Sequence, residues 1–224
     1  MDYGPTCEVG YGGKTRKDKL VNDHFYHVFT RSIAQYRIFN NKREMSRFIE
    51  SLSHYQLKSH ERKFSKHIKL QDKINPDNPE KLVDIVAYCI MPTHIHLILK
   101  QLSENGISIF MSNVLNSYTR YFNIKHIRKG PLWEGRFKSA LIKNNEYLLH
   151  LTRYIHLNPT TAFLVNKPHE WKESSYKEYL NTTEQKLTNT DGLFDFDSDT
   201  YKKFVEDQLD YQRELGKIKS MILE

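Results

Sequence analysis

Apolar positions along this chain change their spacing from segment to segment, and each spacing predicts an element. The run His24-Phe25-Tyr26-His27-Val28-Phe29-Thr30-Arg31 is dense in aromatic and β-branched residues and predicts a strand. Behind Asn41, the residues Met45, Phe48, Ile49 and Leu52 recur at helical spacing. They predict a helix capped by Asn41, from Lys42 to about Ser53, with room to extend to about residue 60. Residues 61–80 are polar and broken at Asn75-Pro76 and Asn78-Pro79, so a turn or flexible insertion is expected. Lys81 to Ile90 and His94 to Lys100 read as two strands. Met91-Pro92-Thr93 joins them tightly, since proline cannot donate to a ladder. Gly106 to about Ile124 predicts a helix with Phe110, Val114, Leu115, Tyr118 and Phe122 on its inner face. After the Gly130-Pro131 break come a strand from Phe137 to Ile142 and a helix from Asn144 or Asn145 that Pro159 should end. The order β-α-β-β-α-β predicts an α+β fold of the ferredoxin-like split βαβ kind: an antiparallel sheet with an added helix. Trp171 to Leu180 reads as a short helix, 191–199 as an acidic linker, and Thr200 to Lys217 as a last helix.

At 224 residues this pattern divides into a loose, glycine-bearing leader (1–20), one main domain (21–165) carrying the 61–80 insertion, and a helical extension (166–224). No run of about 18 apolar residues exists, and the N-terminus lacks the basic-then-apolar pattern of a signal peptide. Membrane insertion is not expected. Cys7 and Cys89, the only cysteines, fall in the leader and in a predicted core strand, so the expectation is a reducing, cytoplasmic setting.

Charge changes the picture locally. Residues 111–145 carry Arg120, Lys125, Arg128, Lys129, Arg136, Lys138 and Lys143 against Glu134 alone. The segment 181–224 is acidic, with ten Asp and Glu against six Lys and Arg. A basic middle interleaved with Tyr118, Tyr121, Phe122, Trp133 and Phe137 suits a polyanion with exposed bases. Arg120, Arg136 and Lys138 are candidate phosphate contacts and Trp133 a candidate base platform. The plainer readings are an Arg136–Glu134 pair and a core Trp133.

The candidate chemistry sits in two short motifs. His94 and His96 are two apart in a predicted strand, so both imidazoles point to one side and can share a divalent ion such as Mn²⁺, Mg²⁺ or Zn²⁺. A solvated strand face would also explain them. Tyr154 and Asn158 are four apart on one helix face. Asn158 Oδ1 could complete the metal shell while Tyr154 is aimed across the ion as a nucleophile. Taken singly, Tyr154 reads as a half-buried aromatic and Asn158 as a helix-end residue before proline. Tyr118 and Tyr121 are rival nucleophiles.

An ordered set of motifs resembles the IS200-like single-tyrosine transposases, and most of all the REP-associated tyrosine transposases. It runs through His24-Phe25-Tyr26-His27-Val28, Met91-Pro92-Thr93-His94-Ile95-His96, Tyr118-Thr119-Arg120-Tyr121-Phe122-Asn123 and Gly130 to Lys138. It ends with Tyr154-Ile155-His156-Leu157-Asn158-Pro159 and Trp171 to Tyr176, and covers roughly residues 22–180. The resemblance implies a His-hydrophobic-His nuclease that cuts and rejoins single-stranded DNA without ATP. It implies His94, His96 and Asn158 as ligands of Mg²⁺ or Mn²⁺ and Tyr154 as the nucleophile forming a 5′-phosphotyrosine. The implied partner is a DNA hairpin with flanking single-stranded guide bases, bound by a monomer, with a homodimer as the alternative. The residues alone leave two other readings: a non-catalytic single-strand binding module and a water-using metal-dependent nuclease.

Overall fold

The computed structural model describes residues 19–58, 80–184 and 186–222. The expected leader and the 61–80 insertion therefore lie almost wholly outside the described residues, as does Cys7. The strands are β1 (Phe25–Arg31), β2 (Val83–Ile90), β3 (His94–Gln101) and β4 (Lys138–Ile142). The helices are α1 (Lys42–Tyr55), α2 (Gly106–Lys125), α3 (Asn145–Thr161), α4 (Tyr176–Tyr179), α5 (Ser198–Glu206) and α6 (Leu209–Ile222). The four strands form one sheet in the order β2-β3-β1-β4, and every neighbouring pair is antiparallel.

The sheet separates two apolar layers. Tyr26, Val28, Ile95, Leu97 and Leu99 point to one face and pack with Met45, Phe48 and Leu52 of α1 and with Phe110, Val114, Tyr118 and Phe122 of α2. Asn41 caps α1, its side chain accepting from the Glu44 amide at 3.1 Å. The start of α2 comes so close to the chain entering β2 that a Cβ on Gly106 would collide with the Leu82 carbonyl oxygen. Only glycine fits there. On the other face, Val86, Ala87, Cys89, Ile98 and Ile142 pack under Leu148, Leu151 and Ile155 of α3. Helix α3 thus lies across the face to which the even-numbered residues of β3 point, with Trp171, Leu193 and Phe194 packing beside it. Asn144 caps it, accepting from the Tyr147 amide at 2.7 Å.

Three boundaries differ from the pattern-based expectation. Pro159 does not end α3, which runs on to Thr161. Proline removes one ladder donor, but so near the helix end the loss is single. The Ala162 amide closes on the Asn158 carbonyl at 2.9 Å and the Leu164 amide on the Pro159 carbonyl at 3.0 Å. The turn then stops at Phe163, in the left-handed region. The expected helix from 171 to 180 shrinks to α4, preceded by a 3₁₀ turn at Pro168–Glu170. The expected last helix is two helices, α5 and α6, separated at residues 207–208.

The side of α3 away from the sheet is covered by these later elements. Leu157 packs with Tyr176, Tyr201 and Val205, and Arg153 lies over the Phe204 ring, 4.2 Å from its centroid. Helix α6 crosses so near the end of α3 that a Cβ on Gly216 would meet the Thr161 carbonyl oxygen at 2.8 Å. In the middle sits His156, fully buried. Its Nδ1 is 2.7 Å from the Tyr201 hydroxyl and its Nε2 is 2.7 Å from Ser175 Oγ. Tyr201 in turn donates to Thr152 Oγ1 at 2.9 Å. The chain of bonds closes when Nδ1 carries the single proton and Nε2 accepts from Ser175.

Burial pushes the His156 pKa down to about 3. The unfolded chain therefore takes up a proton near pH 6.5 that the folded chain refuses until about pH 3. Stability from this group is complete above about pH 6.5 and is lost, at up to ~1.4 kcal/mol per pH unit, as pH falls towards 3. His156→Gln should flatten the pH dependence of urea unfolding between about pH 6 and 4 by up to that slope. An unchanged slope would remove His156 from the account.

Candidate metal and nucleophile site

Strand β3 alternates as expected: Ile95, Leu97 and Leu99 are buried in the α1–α2 layer, while His94 and His96 are partly exposed on the α3 side. Side chains directly opposite each other in an antiparallel pair share a face. The pairing therefore sets Lys138, Phe29, His96 and Cys89 in one row across all four strands. It sets Arg31 opposite His94 and His27 opposite Ile98.

Helix α3 delivers its two motif residues to the two histidines in register. The Tyr154 ring stands edge-on to His96, with centroids 5.9 Å apart and planes at 86°. One turn later, the Asn158 side chain lies beside His94, close enough to act on its imidazole. Asn158 sits in the last turn of the helix, in helical backbone that fixes its direction. Its Nδ2 is buried without a hydrogen-bond partner among the described residues.

The remaining ring nitrogens are held from behind. Thr93 Oγ1, in the Met91-Pro92-Thr93 connection, lies 3.0 Å from His94 Nδ1. His27 Nε2 lies 3.0 Å from His96 Nδ1, with the two rings stacked at 5.2 Å. Both bonds engage Nδ1 and leave Nε2 of each histidine as the nitrogen available to a ligand. Burial, and then the charge of Arg31, pull His94 down to about 4. Burial, followed by the neighbouring His27 and His94, holds His96 well below the ordinary range. Both imidazoles are neutral near pH 7, the form that binds metal.

This donor set fits a divalent ion. Two imidazole nitrogens and one carboxamide oxygen suit Mn²⁺ or Zn²⁺ and leave positions open for water or a phosphate oxygen. Asn158 Nδ2, without a partner among the described residues, is a donor and suits an acceptor such as a water or phosphate oxygen beside the ion. Among the described residues no three His, Cys, Asp or Glu side chains gather as a metal set, so the third donor available here is the amide.

The other candidates separate. Tyr118 is buried on the far side of the sheet, donates to the Ile38 carbonyl at 2.6 Å, and has its pKa pushed up by burial. Tyr121 lies on the same helix, beside Arg47 and Lys125. Trp133 takes the core position: it is buried, surrounded by Phe39, Phe48 and Tyr118, and donates to Thr119 Oγ1 at 3.0 Å. No ring face remains for a base. Arg120 is exposed on α2, across the sheet from the histidines. Arg136 is exposed, and the Glu134 carboxylate goes to Arg31 instead of to Arg136. Within the basic stretch Lys125 is bound to the buried Glu44 at 2.6 Å, and Arg128 to the Pro131 carbonyl at 2.6 Å. Of the expected phosphate contacts, Lys138 is the one that strand register sets on the face of the histidines, about two strand spacings, or ~10 Å, from His96.

The profile of the family described as "Transposase IS200 like" matches residues 20–158, a span that ends on Asn158. The chain belongs to the IS200-like transposase family. It is 31% identical over 104 residues to a protein named as a REP-associated tyrosine transposase from Haemophilus influenzae. That match covers 42% of this chain and spans 58% of the relative. A solved structure of a REP-associated tyrosine transposase bound to a REP hairpin superposes with a TM-score of 0.50 at 15% identity. The superposition covers 83% of this chain and 96% of that one, and at such identity it speaks to the fold. No helix among the described residues is long and apolar enough to cross a membrane.

His27 lies within the first sequence motif, but no local pattern marks it as a site residue. Its role depends on which strand lies beside β1, which local pattern does not reveal. His27→Phe keeps the ring and removes the acceptor, and should weaken Mn²⁺ binding about 10–100-fold in a calorimetric titration. His27→Gln, which can accept, should restore most of it. Equal affinity for all three proteins would dismiss the tether.

Proposed function

We propose that this protein is a divalent-metal-dependent endonuclease and strand transferase for single-stranded DNA, working through a phosphotyrosine at Tyr154. The observation that carries this reading is the paired register of α3 on β3: Tyr154 against His96, Asn158 against His94. Family membership supports it. Tyr154 is 43% exposed, so its ring borders the imidazoles while remaining open to a strand arriving from solvent.

Tyr154 Oη attacks the scissile phosphorus as its proton passes to solvent. The phosphorus–O3′ bond breaks, and the departing 3′ oxygen takes up a proton. The products are a 5′-phosphotyrosine and a free 3′-hydroxyl. Attack by the same or another 3′-hydroxyl reverses the exchange and releases the tyrosine. One phosphorus–oxygen bond is made for each one broken, so no nucleotide is consumed. A Mn²⁺ or Mg²⁺ ion held by His94, His96 and Asn158 would polarise the phosphate and offset its added negative charge. His27 and Thr93 fix the ring orientations.

The substrate we propose is a hairpin, the ligand named for the solved relative, and we add flanking single-stranded guide bases to it. One tyrosine offers one nucleophile for one strand at a time. The strand order fits the ferredoxin-like split βαβ arrangement. We assign residues 21–165 as the catalytic domain of a cytoplasmic, DNA-associated monomer, and 166–224 as the extension that braces α3.

Labelled single strands from the DNA flanking the gene, incubated with protein and Mn²⁺, should yield an adduct that survives denaturing electrophoresis. Tyr154→Phe loses only a hydroxyl and should abolish the adduct while keeping DNA affinity within about 2-fold. Full adduct formation by that variant would move the nucleophile elsewhere. In the same gel, fully paired duplex should resist cleavage that either single strand undergoes. Robust duplex cutting with both single strands intact would overturn the substrate assignment.

A further inference from the structure

Helix α3 covers only part of its sheet face. Its apolar contacts run along β2 to Val86, Ala87 and Cys89, with Ile98 of β3 and Ile142 near the end of β4. The stretch where β1 lies between His96 and Lys138 is outside that packing. Phe29 occupies its centre, directly between the two in the cross-strand row.

Phe29 is an unusual aromatic in this fold. It is half-buried, yet it belongs to none of the three apolar clusters among the described residues. Its ring neighbours are imidazoles: His27 at 4.9 Å, tilted by 32°, and His96 at 6.0 Å, stacked at 26°. A large apolar ring placed beside polar rings, instead of in either core, gains little from packing. It suits a flat partner that is apolar on its faces and polar at its edges.

The flanking charges point to the same partner. Lys138 is exposed beside Phe29 on β4, and Arg31 follows two residues later on β1. Glu134 holds Arg31 through a two-oxygen ion pair, which fixes the guanidinium at the edge of this face and offsets its charge. Lys138 makes no ion pair of its own among the described residues. An aromatic face between a cation and a phosphate-handling centre matches the arrangement by which proteins hold unpaired nucleotides.

We infer that Phe29 is the stacking platform for one unpaired base beside the reacting phosphate, with Lys138 holding the next phosphate of the same strand. The inference rests on the single-stranded substrate proposed above and places the base where Trp133 cannot. The ~10 Å between the His96 and Lys138 backbones fits one nucleotide lying across Phe29, its phosphates directed to either side. Stacking of this kind tolerates any base, because every base has a π-face. Phe29 is a positioning residue: it sets where the strand lies, while Tyr154 does the chemistry.

The test uses the full chain carrying Tyr154→Phe, so that binding is read without turnover. A fluorescein-labelled oligothymidine twelve-mer is titrated by anisotropy in EDTA, with no metal present. Phe29→Leu keeps apolar bulk but lacks a π-face, and should weaken binding about 10-fold. Phe29→Tyr should stay within about 2-fold. Lys138→Gln should lower the slope of log affinity against log salt by about 0.7, the value for one single-strand phosphate contact. A twelve-mer abasic at every position should lose most of the difference between the parent chain and the Phe29→Leu variant, and an undiminished difference would overturn the platform. Equal affinity for the Phe29→Leu and parent chains, with both folded by circular dichroism, overturns the platform while leaving the proposed reaction intact. Failure of the parent chain to bind the oligothymidine at all overturns the platform too. The two cases are separable, because adduct formation by wild-type protein on its flanking DNA tests the reaction alone.

Discussion

The site depends on a match between two repeats. Two residues along a strand advance about 6.6–6.8 Å, and four residues along an α-helix advance about 6.0 Å. A helix laid along a strand can therefore set its i and i+4 side chains against the strand's i and i+2 side chains. Here Tyr154 meets His96 and Asn158 meets His94. The pairs oppose in antiparallel order, since the later residue of the helix meets the earlier residue of the strand. Leu148, Leu151 and Ile155 hold the register from the same helix face by packing on Val86, Cys89 and Ile98. A slip of one residue in β3 would turn both histidines into the α1–α2 core.

That register explains how polar groups survive on a packed sheet. The α1–α2 face is mostly apolar, with Thr30 and Gln101 among its buried polar groups, and it carries the larger core. The α3 face is mixed: apolar along β2, imidazole-bearing along β3, half-open along β1 and β4. Burial beside α3 keeps the imidazoles neutral, while the Nδ1 contacts from Thr93 and His27 keep them directed. The same enclosure that would penalise a charged histidine thus prepares a neutral one to donate a lone pair. Polar side chains held on a packed face are a departure of the kind that functional sites impose.

Most of the architecture was legible because it rests on local period. The i, i+3, i+4 stripe of α1, the alternation of β3 and the breaks at Pro92 and Gly130-Pro131 each specify an element without reference to anything distant. The pairings His94–His96 and Tyr154–Asn158 were legible for the same reason. What escaped depends on contacts far apart in the chain. The tether from His27 to His96 joins residues 69 positions apart. The burial of Trp133 requires α1 and α2 to close over it, and the place of Arg120 requires knowing which sheet face α2 covers. Pro159 misled for a different reason. A proline ends a helix when the lost bond cannot be replaced, and here the amides of Ala162 and Leu164 close the final turn around it.

Helix α3 has two working sides, and this gives the segment after residue 166 a physical role. Between Tyr154 and Asn158 the chain turns His156 inward, to Tyr201 and Ser175. Arg153 and Leu157 face Phe204 and Val205 on the same outer side. A helix bonded along one side only by three apolar residues could roll about its axis, and a roll would carry Tyr154 away from His96. Hydrogen bonds at His156 oppose that motion directionally, since they reach β2 through Ser175 Oγ, which accepts from the Tyr88 amide at 2.9 Å. The outer helices and the sheet thus grip α3 from both sides, with the two motif residues emerging along the seam. The brace is neutral and buried, so it adds rigidity without adding charge to a site that handles phosphate.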